Sequence, residues 1–223
     1  MSIATPTRSD HDIKTEVQDE LEWTPELDAA GVGVAVGDGV VSLSGEVDNY
    51  SARIAAKRAA LRVRGVTAIV DNVSVHPSSS SSLTETDIAK EVEYALRWAG
   101  NVPDAVKAEI RGHDVILTGQ VTWDFQRQAA QRAVQHLTGV HFVNNLIALT
   151  PRVSVSDTKE RIRNAITRNA QLDANTINVA VSDNQVTLTG TVRSWAEKQE
   201  AERAAWASSH VSGVHDQIVV QIS

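Results

Sequence analysis

Val41-Ser42-Leu43-Ser44-Gly45-Glu46-Val47 recurs as Val115-Ile116-Leu117-Thr118-Gly119-Gln120-Val121 and again as Val186-Thr187-Leu188-Thr189-Gly190-Thr191-Val192. The three glycines stand 74 and 71 residues apart. Working outward, Asp12, Asp87 and Asp157 precede them by 33, 32 and 33 residues, and Gly65-Val66, Gly139-Val140 and Gly213-Val214 follow at 20, 20 and 23. The longer third spacing marks a small insertion around Ser208, Ser209 and His210. Agreement at this many offsets makes the chain three copies of one module, and a repeat is read before any local feature. A property found in one copy only is not what the module was repeated for.

Each copy reads the same way locally. A first helix carries apolar residues four apart: Ile13, Val17 and Leu21, then Ile88, Val92 and Leu96, with only Ile162 and Ile166 in the third copy. That spacing places them on one stripe. Aspartate with serine or threonine before each stripe suits a helix N-terminus, and Pro25 and Pro103 follow where a helix cannot continue. Two alternating stretches then predict strands with one buried face. Val32, Val34 and Val36 match Val106, Ala108 and Ile110, and Ile177, Val179 and Val181. The turns between strands hold Gly37-Asp38-Gly39, Arg111-Gly112-His113-Asp114 and Ser182-Asp183-Asn184, which tolerate positive φ and predict hairpins.

An alanine-rich second helix follows: Ala52, Ala55, Ala56 and Ala59; Ala129, Ala130 and Ala133; Ala201, Ala204 and Ala205. Ser194-x-x-Glu197 is a capping-box pattern at the start of the third copy's helix. A last strand follows each Gly-Val pair. The fold class is α+β, with three tandem α-β-β-α-β modules at 10–76, 84–150 and 156–223. The mid-strand glycines, Gly45, Gly119 and Gly190, predict a bulge or close packing of the alanine helix, a structural role shared by Gly65, Gly139 and Gly213.

The joints differ. Residues 77–83 include the run Ser78 to Ser82, a flexible linker by composition, so module one is expected to be tethered. Residues 151–155 are short and keep Val153 and Val155, so modules two and three are expected to pair more rigidly. A module of roughly 65 residues lies near the lower limit for folding alone. With no cysteine in the 223 residues, disulfides and thiol chemistry are excluded.

The alternating unit, the V-x-L-[ST]-G-x-V phrase and the later Gly-Val resemble the BON domain, the bacterial osmotically inducible and nodulation domain. The resemblance covers about nine tenths of the chain and suggests a soluble three-BON bacterial protein. It implies a three-stranded sheet with two helices on one face. It also implies contact with phospholipid surfaces or envelope proteins under osmotic or other stress, and no BON domain is established as an enzyme. The well-known osmotic-stress members carry a signal peptide. Met1 to Asp12 has no apolar core for export, so a cytoplasmic location is expected, with the periplasm as the family-based alternative.

Chemistry-bearing residues are sparse. His141 and His215 share a repeat position that Thr67 fills in copy one, and His136/His141 and His210/His215 lack helical metal-pair spacing. The acids Asp12, Glu16, Asp19, Glu20 and Glu22 read as a solvated helix face. Neither a nucleophile elbow nor a phosphate-binding loop is present, and Gly31-Val32-Gly33 is too short for a dinucleotide fingerprint. Enzyme, metal and cofactor functions are therefore not expected. A net charge of −7 argues against general nucleic-acid binding.

Aromatic residues carry the binding expectation. Tyr50, Trp123 and Trp195 lie four or five residues after the motif glycine, beside a helix start, where an interface anchor would sit. Trp23 and Trp98, each 11 residues after the helix-one aspartate, are expected to close the core, as is Trp206. Arg53, Lys57, Arg58, Arg62 and Arg64 make the second helix of module one basic. Tyr50, Trp123, Trp195, Arg53, Lys57 and Arg58 are the candidate contact residues. Their expected partner is an anionic phospholipid surface or an envelope or stress protein. The alternative is a soluble scaffold or chaperone-like adaptor without lipid contact.

Overall fold

The computed structural model describes residues 8–25, 27–76, 83–150, 158–168, 176–208 and 210–221. The serine run 78–82, the joint 151–157, Ser209 and the side chains of Ile166 and Arg168 lie outside the described residues.

Module one runs α1 (Asp10–Glu22), β1 (Val32–Gly37), β2 (Val40–Val47), α2 (Tyr50–Arg62) and β3 (Ala68–Val75). Its α1 starts on a capping box. The Ser9 side chain accepts from the Asp12 backbone N–H, and the Asp12 carboxylate accepts from the Ser9 backbone N–H and hydroxyl. Those bonds hold the Asp12 carboxyl below its ordinary range. Thr84 and Asp87 repeat the arrangement at α3 (Glu85–Trp98). An acid at each helix start also grips the hairpin turn. Asp10 accepts from the N–H groups of Asp38 and Gly39 at 2.9 and 3.0 Å, and Glu85 accepts from Gly112 at 2.8 Å. Asp38 and Gly39 have φ of 52° and 74°, the left-handed pair that a tight hairpin turn requires.

The central strand β2 pairs antiparallel with β1 and, through the α2 crossover, parallel with β3. Val41, Leu43 and Val47 point under the helices and meet Ile13, Val17, Leu21 and the alanines of α2. Alanine at these positions lets α2 lie close on the sheet. Module two repeats the plan with α3, β4 (Lys107–Arg111), β5 (Asp114–Thr118), β6 (Gln120–Val121), α4 (Asp124–Val134), β7 (Phe142–Asn145) and β8 (Ala148–Leu149). There the second and third strands are each broken in two, giving β4-β5-β7 and a separate β6-β8 pair. Module three has α5 (Thr158–Arg168), β9 (Ile177–Ser182), β10 (Gln185–Val192), α6 (Trp195–Trp206) and β11 (Gly213–Val220), in sheet order β11-β10-β9. Each module is thus α-β-β-α-β, and the chain is a mixed α+β protein. Ser194 caps α6 as its sequence indicates, but Glu197 reaches back to the N–H of Arg193 rather than to that of Ser194.

The motif glycines owe their place to a neighbour other than the alanine helix. Gly45, Gly119 and Gly190 have φ of 114°, 124° and 132°. A Cβ there would land on the carbonyl oxygen of Gly31, Ala105 or Thr176, each just before or at the start of the facing first strand. Backbone, not helix, is what excludes a side chain. Gly65 and Gly139 do face the first helix: a Cβ would press on the Ile13 and Ile88 side chains at 2.9 and 3.2 Å. Gly213 departs from both, with no left-handed φ and with the Gln185 side chain beside it. This departure falls after the insertion in copy three.

Module one is not merely tethered. Tyr50, 8% exposed, belongs to the core of module two, with Ile54 packed against the same cluster. Its ring meets Phe142 edge-on at 5.8 Å, and a backbone hydrogen bond from Val143 reaches its hydroxyl. Burial pushes the phenol's pKa up. The Ser51 Oγ and His136 Nδ1 are 2.9 Å apart. Helices α2 and α6 touch, and Arg127 of module two lies 4.6 Å over the Trp206 ring of module three. The expectation of a free first module beside a rigid pair is replaced by mutual packing of all three, because α2 carries an apolar stripe its own sheet does not use.

Two outcomes test this account. Gly119→Ala, whose methyl group would have room if only the helix were involved, is expected to lower stability by about 1–3 kcal/mol, a cost typical of left-handed strain. Urea unfolding of the full chain reads it; a change within about 0.5 kcal/mol, ordinary for a neutral site, contradicts the carbonyl contact. Tyr50→Ala, a buried aromatic truncation costing about 3 kcal/mol, should raise hydrogen exchange at the Val143 amide while leaving β2 protected. Unchanged protection in β7 would show that the modules are not docked there.

Candidate functional site

The contact residues expected from the sequence are placed differently from one another. Tyr50 is enclosed between modules one and two and offers no free surface. Trp123 is half-buried beside a cleft of about 330 Å³ whose other walls include Ile162 and Ala165 of α5 and Ala204 of α6. It therefore sits between modules two and three. Trp195 is half-buried, with the Lys198 Nζ 5.2 Å from its ring centre. An aromatic at the start of the second helix is next to the crossover, where neighbouring modules approach. That position makes Tyr50 and Trp123 joints between repeats, a correction to their reading as anchors on an open surface.

The tryptophans expected to close the core do the reverse. Trp23 is 85% exposed and Trp98 71% exposed. They occupy the same repeat position, at the C-terminal ends of α1 and α3. The reason is helical geometry. Each follows a buried leucine, Leu21 or Leu96, by two residues, and two residues turn a helix by about 200°. The indole is thereby rotated off the buried stripe. Tyr94 lies one turn before Trp98, with its ring 5.8 Å away, and is itself exposed. The signal was present in the sequence as the phase of Trp23 and Trp98 against the Ile-Val-Leu stripe. Trp206 is half-buried under Arg127, in keeping with its expected packing role.

The basic helix α2 divides into two sets. Arg53 pairs with Asp71 at 3.1 Å, and Arg62 with Glu20 at 2.9 Å. Lys57 and Arg58 are exposed and, among the described residues, make no ion pair. They border a cleft of about 310 Å³ at the junction of the modules.

Histidines gather at one edge of module two. His113 and His141 stack with ring centres 4.2 Å apart, and the His113 Nδ1 lies 2.8 Å from the Gly139 carbonyl oxygen. Burial, and then the neighbouring His113, holds the His141 pKa below its ordinary value. A face-to-face stack aims neither ring's lone pairs at a common point. Among the described residues no group of three or more metal-ligating side chains is placed to hold an ion. Among them, too, no helix is long and apolar enough to cross a membrane.

Comparison with known proteins follows the repeat. The BON domain family matches residues 9–77, 84–151 and 154–222. No curated protein sequence matches significantly. Among solved structures, CdsD, a structural protein of the type III secretion system of Chlamydia trachomatis, is 12% identical, with 95% of this chain and 93% of that one covered at a TM-score of 0.28. The C-terminal domain of CdsD is likewise 12% identical, with 96% and 100% covered at a TM-score of 0.26. Likeness at those scores carries no argument. The repeat does: with three matched segments, each spanning one α-β-β-α-β unit, the chain belongs to the BON domain family.

Proposed function

We propose that this chain is a non-enzymatic interaction protein that associates with phospholipid surfaces, in the setting of osmotic or envelope stress. The BON family is generally associated with phospholipid binding and with osmotic-stress proteins. The observation that carries the reading is the pair of exposed indoles, Trp23 and Trp98, set at one repeat position on two modules. An indole has an apolar body and an N–H, which suits the boundary between acyl chains and head groups.

Charge acts second. The net charge of −7 and the acids beside Trp23 oppose an anionic surface, whereas Lys57, Arg58 and Arg64 favour it locally. One indole on a small module is a weak anchor. Two anchors on modules packed together gain by effective concentration, so their contributions multiply if one surface reaches both.

A second reading is a protein-binding scaffold without lipid contact. It draws support from the outer strands β1, β4 and β9, each paired on one side within its own sheet. Such edges accept an added strand. A protein partner that persists through detergent, without lipid enrichment, favours this second reading.

Vesicle sedimentation separates them. Trp23→Ala and Trp98→Ala should each reduce partitioning onto phosphatidylglycerol-containing vesicles, and the double variant should lose more than about tenfold, as expected where two linked contacts cooperate. The thermal melt should stay unchanged, since both side chains are exposed. Wild-type partitioning by the double variant sinks the membrane reading, as does a wild-type chain that ignores vesicles altogether.

A further inference from the structure

We propose that the junction of the three modules is a binding site for a small organic phosphate with a short apolar body. Helix α2 has two faces. Ala52, Ala55, Ala56, Ala59 and Ala60 are buried in module one. Tyr50, Ile54, Lys57, Arg58 and Leu61 follow the i, i+4, i+7, i+8, i+11 pattern of a second stripe and line a cleft of about 310 Å³. Phe142 of module two and Gln199 of module three complete it. No single module contains this site.

The lining decides the ligand. Tyr50, Ile54, Leu61 and Phe142 supply an apolar wall, while Gln131 and Gln199 supply uncharged amides. Three cations line the cleft, Arg53, Lys57 and Arg58, against one carboxylate, Asp71. That carboxylate is engaged by Arg53 at 3.1 Å, leaving two positive charges side by side on α2. Adjacent like charges next to apolar walls favour an anion that also has apolar surface to bury. Ligand pockets begin at roughly 300 Å³, so this one takes a metabolite-sized molecule and not a diacyl lipid. Phosphate suits a lysine beside an arginine, a point charge and a planar fork. The same chemistry occurs in the head region of a phospholipid and in a soluble phosphate ester.

Calorimetry on the full chain with hexyl phosphate tests the site. One molecule per chain is expected, with inorganic phosphate at least tenfold weaker because it leaves the apolar wall unfilled. Lys57→Ala/Arg58→Ala should weaken hexyl phosphate at least tenfold. Gln199→Glu, which places a carboxylate from module three in the cleft, should weaken it several-fold. All three side chains are exposed, so melting temperatures should hold. Excess hexyl phosphate that strips the chain from phosphatidylglycerol vesicles identifies a lipid head region as the occupant; retention on the vesicles identifies a soluble ester. Trp23→Ala/Trp98→Ala should bind hexyl phosphate normally, which keeps this site distinct from the membrane anchor. Absence of hexyl phosphate binding, or wild-type affinity in both the Lys57/Arg58 and Gln199 variants, overturns the proposal.

Discussion

In each module a backbone carbonyl from the start of the first strand sits against the middle of the central strand, in space that only a glycine leaves open. Gly31, Ala105 and Thr176 supply that oxygen; Gly45, Gly119 and Gly190 supply the gap. Register follows from it. Val32 faces Gly45 and Ile177 faces Gly190 at the end of each antiparallel pairing, so the contact closes the hairpin opposite its turn. With register fixed, Val41 and Leu43, or Val186 and Leu188, are all directed to one face, and a one-residue slip would turn them out. The central strand's contacts with both helices depend on that alternation.

Small modules then face a second constraint. Each sheet has only three strands, and one face is covered by just two helices. The chain gains further burial by packing modules on one another, through side chains at the N-terminal ends of the second helices. Tyr50 enters the core of module two, and Trp123 approaches α5 and α6 of module three. The two joints are not copies of one contact: the first meets a strand edge, the second a pair of helices. Repeats that share a fold thus need not share an interface, because the residues on the receiving surface differ. Phe142 receives Tyr50, while Ala165 and Ala204 leave the hollow beside Trp123.

These joints move the functional surface. Aromatic residues at the second-helix start are absorbed by packing, so free aromatic area is found at the other end of the module, on Trp23, Trp98 and Tyr94. The basic helix changes character for the same reason. Once Tyr50 is docked, α2 runs along a boundary between modules, and Lys57 and Arg58 flank a cleft instead of an open helix face.

The sequence alone determined the repeat, the order of elements in each module and the residues of each core. These are set by local periods: three- and four-residue steps in the helices, alternation in the strands and glycine where backbone must approach backbone. Ile13, Val17 and Leu21 are buried as their spacing requires. The phase that turns Trp23 and Trp98 outward was also written there, in their two-residue offset from Leu21 and Leu96. What only the tertiary structure decided is which atoms the glycines make room for and where the modules meet. A mid-strand glycine reports a close neighbour without naming it, and a facing carbonyl tens of residues away leaves no mark in the local pattern. Likewise, the serine run speaks for a loose connection, but docking depends on whether Tyr50 finds Phe142 and Val143, residues more than ninety positions further along the chain. Such contacts depend on shape at a distance, which periodicity does not encode.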